Sequence, residues 1–404
     1  MFEKIKKTID FLQYRVFTKK SWRWPAQSDV LIYDACGEEY LLNYLSPWKP
    51  VVLHVRGELM NMPVALVSLF RGGKKSHAYV DSFIDRVKPK IIVTFIDNNP
   101  NFYLLSNRHP NIKTLFIQNG WRGYYADIFE ILQNLDQSQL EHMKVDYMMT
   151  FGSVSGDFYA KYITGKVVPM GSIKSNYLEN KQKNEKDLIV FISQWCKGGL
   201  VMDKKSYTHS EFFRQADQPI LKWLRKYSQE NNKKLMIAPR FFEDLSLRSL
   251  EETYYKEILE DGVEFLELDG TYPAYQAIDM ADVVVTIDST LGYESVARGN
   301  KTAFFSIRSS LLSIDGFTYG WPEEFSDEGL FWTNILNVDK FTDILNYLFT
   351  VEDSQWESDI LDSGFTEVMI NDPENKIFKK TIRNALGQMS ATTFNQSKSV
   401  ISEN

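Results

Sequence analysis

Between Ala281 and Arg308 the chain reads ADVVVTIDSTLGYESVARGNKTAFFSIR, and few folds accommodate that order of residues. Val283-Val284-Val285 is a short apolar run closed by polar neighbours, the pattern of a strand covered on both faces in a parallel sheet. The polar turn Asp288-Ser289-Thr290 follows. A helix then carries Gly292 and Glu294 in its first turns, and Gly299-Asn300 stops it. A second apolar run, Thr302–Phe305, comes at once. Strand, helix and strand in this spacing make one βαβ step. In an open α/β sheet the strand-to-helix turn lies at the carboxyl edge, where ligands bind. The free N–H groups of a helix start, with hydroxyls beside them, attract anions. Ser289, Thr290 and Gly292 are therefore candidates to hold phosphate oxygens, and Glu294 to hold sugar hydroxyls. A plainer reading stays open: Asp288 or Ser289 caps the helix and Glu294 completes a capping box.

The same strand–turn–helix step recurs along the chain. In the first half, strands are expected at Val30–Tyr33, Val51–Val55, Ile91–Ile96, Thr114–Ile117, Tyr147–Phe151 and Val167–Pro169. In the second, they are expected at Leu188–Ile192, Leu235–Ala238, Val263–Leu266 and the two runs above. Nearly every one ends in glycine, small polar or charged residues, as expected when one sheet edge lines a cleft. A chain of 404 residues is long for a single core. The pattern predicts an α/β protein of two doubly wound, Rossmann-like domains facing a cleft. The expected divisions are an N-terminal segment 1–28, a first domain 29–175, a linker 176–187, a second domain 188–340, C-terminal helices 341–389 and a disordered tail 390–404. One of those helices is expected to return to the first domain.

Residues 1–24 stand apart. Phe2, Ile5, Ile9, Leu12 and Val16 recur at helical spacing among seven Lys and Arg residues, with Glu3 and Asp10 the opposing acids and Trp22 and Trp24 following. Such a segment either lies on an anionic membrane surface or packs on the domain with a solvated basic face. A net charge of −7 argues against general nucleic-acid binding. Two distant cysteines, Cys36 and Cys196, and no secretory signal fit a cytoplasmic setting, at most peripheral to the inner face of the membrane. The chain contains no GxGxxG loop, Walker loop, HExxH pair or GxSxG elbow. Redox cofactors, ATP phosphoryl transfer, catalytic zinc and the α/β-hydrolase reaction are not expected. The five histidines share no motif.

Several phrases together carry a family likeness. They are LIYDACGEEYLL (Leu31–Leu42), IIVTFIDNNPNFYLL (Ile91–Leu105), FIQNGWRG (Phe116–Gly123), DYMMTFGS (Asp146–Ser153) and VVPMGSIKSN (Val167–Asn176), with Asp288–Phe305. The chain resembles bacterial surface carbohydrate biosynthesis proteins, a group of GT-B-type glycosyltransferases similar to retaining β-Kdo transferase domains. The resemblance covers roughly residues 29–310. It implies a nucleotide-sugar donor held by 188–340 and a lipid-linked or polysaccharide acceptor held by 1–175. A CMP-Kdo enzyme would carry a histidine–proline pair after a second-domain strand, where this chain has Ala238-Pro239-Arg240.

Transfer needs the charge of the leaving phosphate to be met, in GT-B enzymes generally by a helix N-terminus and cations without a bound metal. Arg240 is the candidate cation, and Ser193 at its strand exit is a further nucleotide contact. Inversion needs a base on the acceptor side. Asp34, Glu38, Glu58 and Asp97 have the right positions, Asp34 with helix capping and Asp97 with turn formation as the plainer roles. Retention by double displacement needs a carboxylate nucleophile, for which Asp203 is placed. Asn98, Asn119 and Arg122 are candidate acceptor contacts, although Asn119-Gly120 with Arg122 also reads as a plain turn. Two other functions fit the pattern: a UDP-sugar 2-epimerase and a non-catalytic scaffold of the same fold.

Overall fold

The computed structural model describes residues 18–72, 75–123, 127–179, 185–202, 205–260, 262–268 and 270–387. Two six-stranded sheets, wholly parallel, hold the described chain together. The first runs, from edge to edge, Val51–Leu53, Val30–Tyr33, Ile91–Thr94, Lys113–Ile117, Lys144–Thr150 and Thr164–Pro169. The second runs Glu264–Phe265, Lys234–Ala238, Leu188–Ile192, Val283–Thr286, Thr302–Phe305 and Trp332–Thr333. In each, the chain starts near the middle, moves to one edge, then crosses back to fill the other side. Each sheet therefore has a topological switch point, between Val30–Tyr33 and Ile91–Thr94 in the first and between Leu188–Ile192 and Val283–Thr286 in the second.

Strand periodicity explains why both faces are covered. Side chains alternate across a strand. Leu31 and Tyr33 enter one core with Phe102, Phe116 and Phe129, and Val30 and Ile32 enter the opposite one with Leu41, Ile91 and Met149. In the second sheet Ile189 and Phe191 face one core while Leu188, Val190 and Ile192 face the other. With the central strands Val30–Tyr33 and Leu188–Ile192 apolar at every position and buried throughout, neither face there can meet water, so helices must pack on both sides.

The tail of the chain completes the first sheet. Helix Val338–Thr350 buries Phe341, Ile344, Leu345 and Leu348 on the second sheet. Helix Lys376–Ala385 then carries Phe378 and Ile382 into the core of Val30, Ile91 and Leu115 on the first. The linker expected at 176–187 begins later than the polar composition suggests. Helix Ile173–Tyr177 includes Asn176, whose buried amide donates to the Met170 carbonyl (2.7 Å) and to Asn375 Oδ1 (3.1 Å). Its polarity serves internal hydrogen bonds rather than solvent.

At the start of the chain the expected helical segment gives way to a strand, Lys19–Ser21, paired in parallel with Leu59–Asn61. Residues 1–17, where the helical spacing lies, fall outside the described residues, as do 180–184 of the expected linker and the tail 390–404. The edge strand Trp332–Thr333 escapes a reading of the sequence because two residues give no periodicity.

Because Phe378 is fully buried, truncating it tests how far the C-terminal helix belongs to the first core. Phe378→Ala is expected to lower unfolding free energy by about 3–5 kcal/mol in urea titrations.

Candidate functional site

The exits of the two switch points do not serve one space. A cleft of about 510 Å³ lies at the second, lined by Ser193, Gln194, Arg240, Ser289, Thr290 and Arg308 from the second sheet, and by Trp121 and Asp127 from the first. A wider cleft of about 750 Å³ shares Arg240, Ser289 and Thr290 with it, and adds Glu39, Tyr40, Asn119 and Lys174 from the first half. The two clefts thus meet around the start of helix Thr290–Ala297. A third groove, about 510 Å³, opens at the first switch point and is lined by Asp34, His54, Arg56, Asn98 and Asn99.

Ser289 is the N-cap of helix Thr290–Ala297, and its Oγ accepts from Leu291 N at 3.3 Å. Capping and cleft lining are therefore both true of this residue. Thr290 does something no local pattern indicates: its Oγ1 accepts from the backbone N–H of Trp121, at 2.8 Å, across the two halves. The Trp121 ring lies flat on Tyr293, with centroids 4.0 Å apart and planes at 9°. Glu294 Oε1 accepts from the hydroxyls of Ser172 and Tyr275. Arg298 pairs with Asp279 and donates to the carbonyls of Ser175 and Leu178. Positions 290, 293, 294 and 298 share one helix face, and that face is joined to the first half.

Two sequence expectations change as a result. Glu294 is buried, with its carboxyl raised above the usual range by burial, so it ties helices together although it borders the wider cleft. Gly292 faces its own sheet. A Cβ there would stand 2.4 Å from Thr286 Cγ2, so the glycine permits helix and strand to touch and lines neither cleft. Ser193 does line the cleft, but its hydroxyl bonds to Glu251 and receives the Tyr255 hydroxyl (2.8 Å). Arg240 is exposed at the junction of both clefts. Its guanidinium has one long contact, 3.5 Å to the Gln194 carbonyl, and no ion pair among the described residues.

With this geometry in hand, the chain can be placed among known proteins. A family model described as "putative O-antigen biosynthesis protein" matches residues 115–386, more than half of the chain. The chain belongs to this O-antigen biosynthesis family. No curated protein sequence matches it. A glycosyltransferase from Rickettsia africae ESF-5 superposes with a TM-score of 0.50 at 10% identity, over 93% of this chain and 100% of that one. A variant of the wall teichoic acid polymerase TagF gives 0.50 at 11% identity, over 96% and 98%. UDP-GlcNAc 2-epimerase from Methanocaldococcus jannaschii gives 0.47 at 9%, over 88% and 98%. The paired Rossmann-like sheets are the GT-B architecture.

In this family member the acceptor-side candidates separate. Asp97 is fully buried and lines none of the three spaces. Arg122 clamps it with two nitrogens, the Tyr159 hydroxyl donates to Oδ2 at 2.5 Å, and Asn119 N donates to Oδ1 at 3.3 Å. A carboxylate so surrounded has no lone pair left for a substrate, which corrects its expected role as base. Arg122 is likewise occupied by Asp97, Asp127 and the Asn119 side chain, so it shapes the loop and is not an open acceptor contact. Asn119 borders the wider cleft, while Asn98 donates to Asp127 and borders the separate groove. Asp34 lines that groove too, held by Arg56 Nε (2.7 Å) and Cys36 N (3.0 Å), and lines neither of the two clefts. Asp203 lies outside the described residues. Asp97→Ala would leave largely buried Arg122 with Asp127 as its remaining ion pair and strip the Tyr159 hydroxyl of its acceptor, and is expected to cost about 3 kcal/mol of stability in denaturant unfolding, before any effect on chemistry.

Other cleft residues escape sequence reasoning because their partners lie far along the chain. Gln194 Nε2 donates to Asp288 Oδ1 (2.6 Å), bridging the strands on either side of the switch point. Asp288 also pairs with Arg308, an arginine buried among Phe212 and Phe213. Behind it, Asp217 sits 3.8 Å from Arg308 and accepts from the Tyr254 hydroxyl at 2.7 Å. Burial pushes the Asp217 carboxyl up to about 6, against the pull of Arg308. Between about pH 4 and 6 the native protein therefore keeps a proton that the unfolded chain releases, and this group makes stability fall as pH rises through that window. Asp217→Asn is expected to flatten the fall, which reaches up to about 3 kcal/mol, in melting temperatures recorded from pH 4 to 7.

Proposed function

We propose that the protein is a glycosyltransferase that moves a sugar from a nucleotide-activated donor to a surface polysaccharide, or to its lipid-linked precursor. The observation that carries this reading is the meeting of two clefts around Ser289, Thr290 and Arg240, at the switch point of the second sheet. The donor diphosphate or phosphate would lie between the start of helix Thr290–Ala297 and the Arg240 guanidinium. As the sugar leaves, negative charge builds on the phosphate, and this helix start and cation meet it in place. The base or sugar end of the nucleotide would occupy the 510 Å³ cleft beside Gln194 and Arg308.

The acceptor would enter through the wider cleft, where both halves contribute side chains. Glu39 is the first-half carboxylate on that cleft, and in this reading it takes the acceptor proton in place of Asp97. Membership of an O-antigen biosynthesis family supports a saccharide acceptor.

The test separates donor binding from chemistry. Purified protein is screened by thermal shift against CMP, UDP, GDP and dTDP and their common sugars. A bound ligand at about a hundredfold excess over its Kd stabilises by about 3 kcal/mol. A CMP response would select an ulosonic-acid donor; a UDP or GDP response would select a hexose donor. Arg240→Ala is expected to weaken the responding donor at least tenfold with an unchanged melting temperature, because the side chain is exposed. Glu39→Gln should keep donor binding and lose transfer. Silence across the whole set would sink the transferase reading in favour of a scaffold, and turnover of a UDP-sugar without acceptor would favour an epimerase.

A further inference from the structure

Far from the donor cleft, at the edge where the chain enters the first sheet, folding leaves large apolar side chains uncovered. Helix Met62–Ser68 buries only Val64. Leu66 and Val67 are half exposed, and beyond the helix end Leu69 is 72% and Phe70 92% exposed. Single exposed apolar residues are ordinary, but a cluster within five positions is not. The cluster also has neighbours. Strand Lys19–Ser21 pairs with Leu59–Asn61, immediately before this helix, and Asn61 Nδ2 donates to the Arg23 carbonyl at 2.7 Å. Trp22, 69% exposed, and Trp24, 49% exposed, are thereby held beside the helix start.

The charge around the cluster is mostly positive, with exposed Glu58 and Asp85 as the acids beside it. Lys19, Lys20, Arg23 and Arg71 are exposed there. The Arg86 guanidinium lies 5.4 Å from the Trp24 ring. Of the two acids, Asp85 is paired with Arg71. In sequence, residues 1–24 hold seven Lys and Arg against two acids, and residues 59–80 hold three against none, in a chain of net charge −7. Among the described residues, Lys19, Lys20, Arg23 and Arg71 place exposed positive charge at this edge of an otherwise acidic chain.

We propose that this face is a docking surface for an anionic phospholipid bilayer. Leu66, Val67, Leu69 and Phe70, with Trp22 and Trp24, enter the boundary between headgroups and acyl chains. Lys19, Lys20 and Arg23 meet the lipid phosphates. Exposed aliphatic and aromatic side chains flanked by lysine and arginine, with tryptophan at the rim, are the composition of an interfacial anchor, and a mostly basic rim selects an anionic surface. Among the described residues no helix is long and apolar enough to cross a membrane, so the contact is made from one side. The strand that leads into the helix also supplies Leu59 and Met60 to the groove of Asp34, His54, Arg56 and Asn99. Docking in this pose brings that groove, which is separate from both clefts, to the headgroup level.

The experiment is co-sedimentation of the full chain with vesicles of phosphatidylethanolamine and phosphatidylglycerol, and with vesicles of phosphatidylcholine alone. Binding is expected on the anionic vesicles and should weaken as NaCl is raised. The double substitution Leu69→Asp with Phe70→Asp should reduce it at least tenfold, with melting temperature and nucleotide response unchanged. Lys19→Glu with Lys20→Glu should weaken it on anionic vesicles only. Three results would overturn the proposal. One is absence of wild-type binding to anionic vesicles. Another is equal binding by the Leu69/Phe70 variant. The third is a wild-type dimer in sedimentation equilibrium that this variant abolishes, which would make the face a contact between two copies. Vesicle binding with no nucleotide response would leave docking intact and remove the transferase reading alone.

Discussion

One helix face forms a central part of the joint between the two halves of this protein. Thr290, Tyr293, Glu294 and Arg298 each engage the first half: a backbone N–H, a stacked indole, a serine hydroxyl and two carbonyls. The stack continues inward, since Tyr293 lies near-parallel to Tyr319 and Tyr319 to Trp332, whose centroids are 4.4 Å apart. The edge strand of the second sheet is thus connected through three ring contacts to the Trp121 loop of the first. Stacked rings combine large apolar burial with a preferred orientation, so they fix distance and angle together. The 510 Å³ cleft inherits its shape from this joint, because Trp121 is one of its walls and Ser289 and Thr290 are another.

Buried charge in the protein serves mainly to build that frame. Asp97 with Arg122 and Asp279 with Arg298 are largely buried pairs completed by further hydrogen bonds, and Asp288 with Arg308 is a third, backed by Asp217 at 3.8 Å although Arg308 Nη2 makes no hydrogen bond. Such pairs survive in a low-dielectric interior only when both partners are largely satisfied, which also makes them poor reagents. Reactivity toward an anionic ligand has to come from groups left in water. In the cleft region that distinction falls on Arg240, whose neighbours hold its backbone through Glu251 while its guanidinium stays exposed.

Much of the fold is legible in short windows of residues. The strands Val30–Tyr33, Leu188–Ile192 and Thr302–Phe305 have the bounds that their apolar runs predict, since a strand buried on both faces leaves no ambiguity of register. The polar turn at Ser289 and Thr290, lining a cleft at a helix start, is legible for the same local reason, a polar strand exit followed by a helix start. The individual roles of side chains are less so. Asp97, Gly292 and Glu294 each stand where a reactive or ligand-holding group should stand. Asp97 and Glu294 are taken up by partners remote in sequence, Arg122 and Ser172, and Gly292 by close contact with Thr286 on the preceding strand.

The sequence by itself determined the alternation of strand and helix, the two sheets, their polar carboxyl edges and the basic, tryptophan-bearing entry to the first sheet. All of these are properties of windows a few to thirty residues long, where periodicity and composition act directly. The tertiary structure alone decided which polar groups face a cleft and which face each other. Ser172 and Glu294 are 122 residues apart, and Trp121 and Thr290 are 169 apart. Whether a carboxylate is a free acceptor or one half of a buried pair depends on what the opposite half of the molecule brings within about 3 Å of it. No local pattern records that distance.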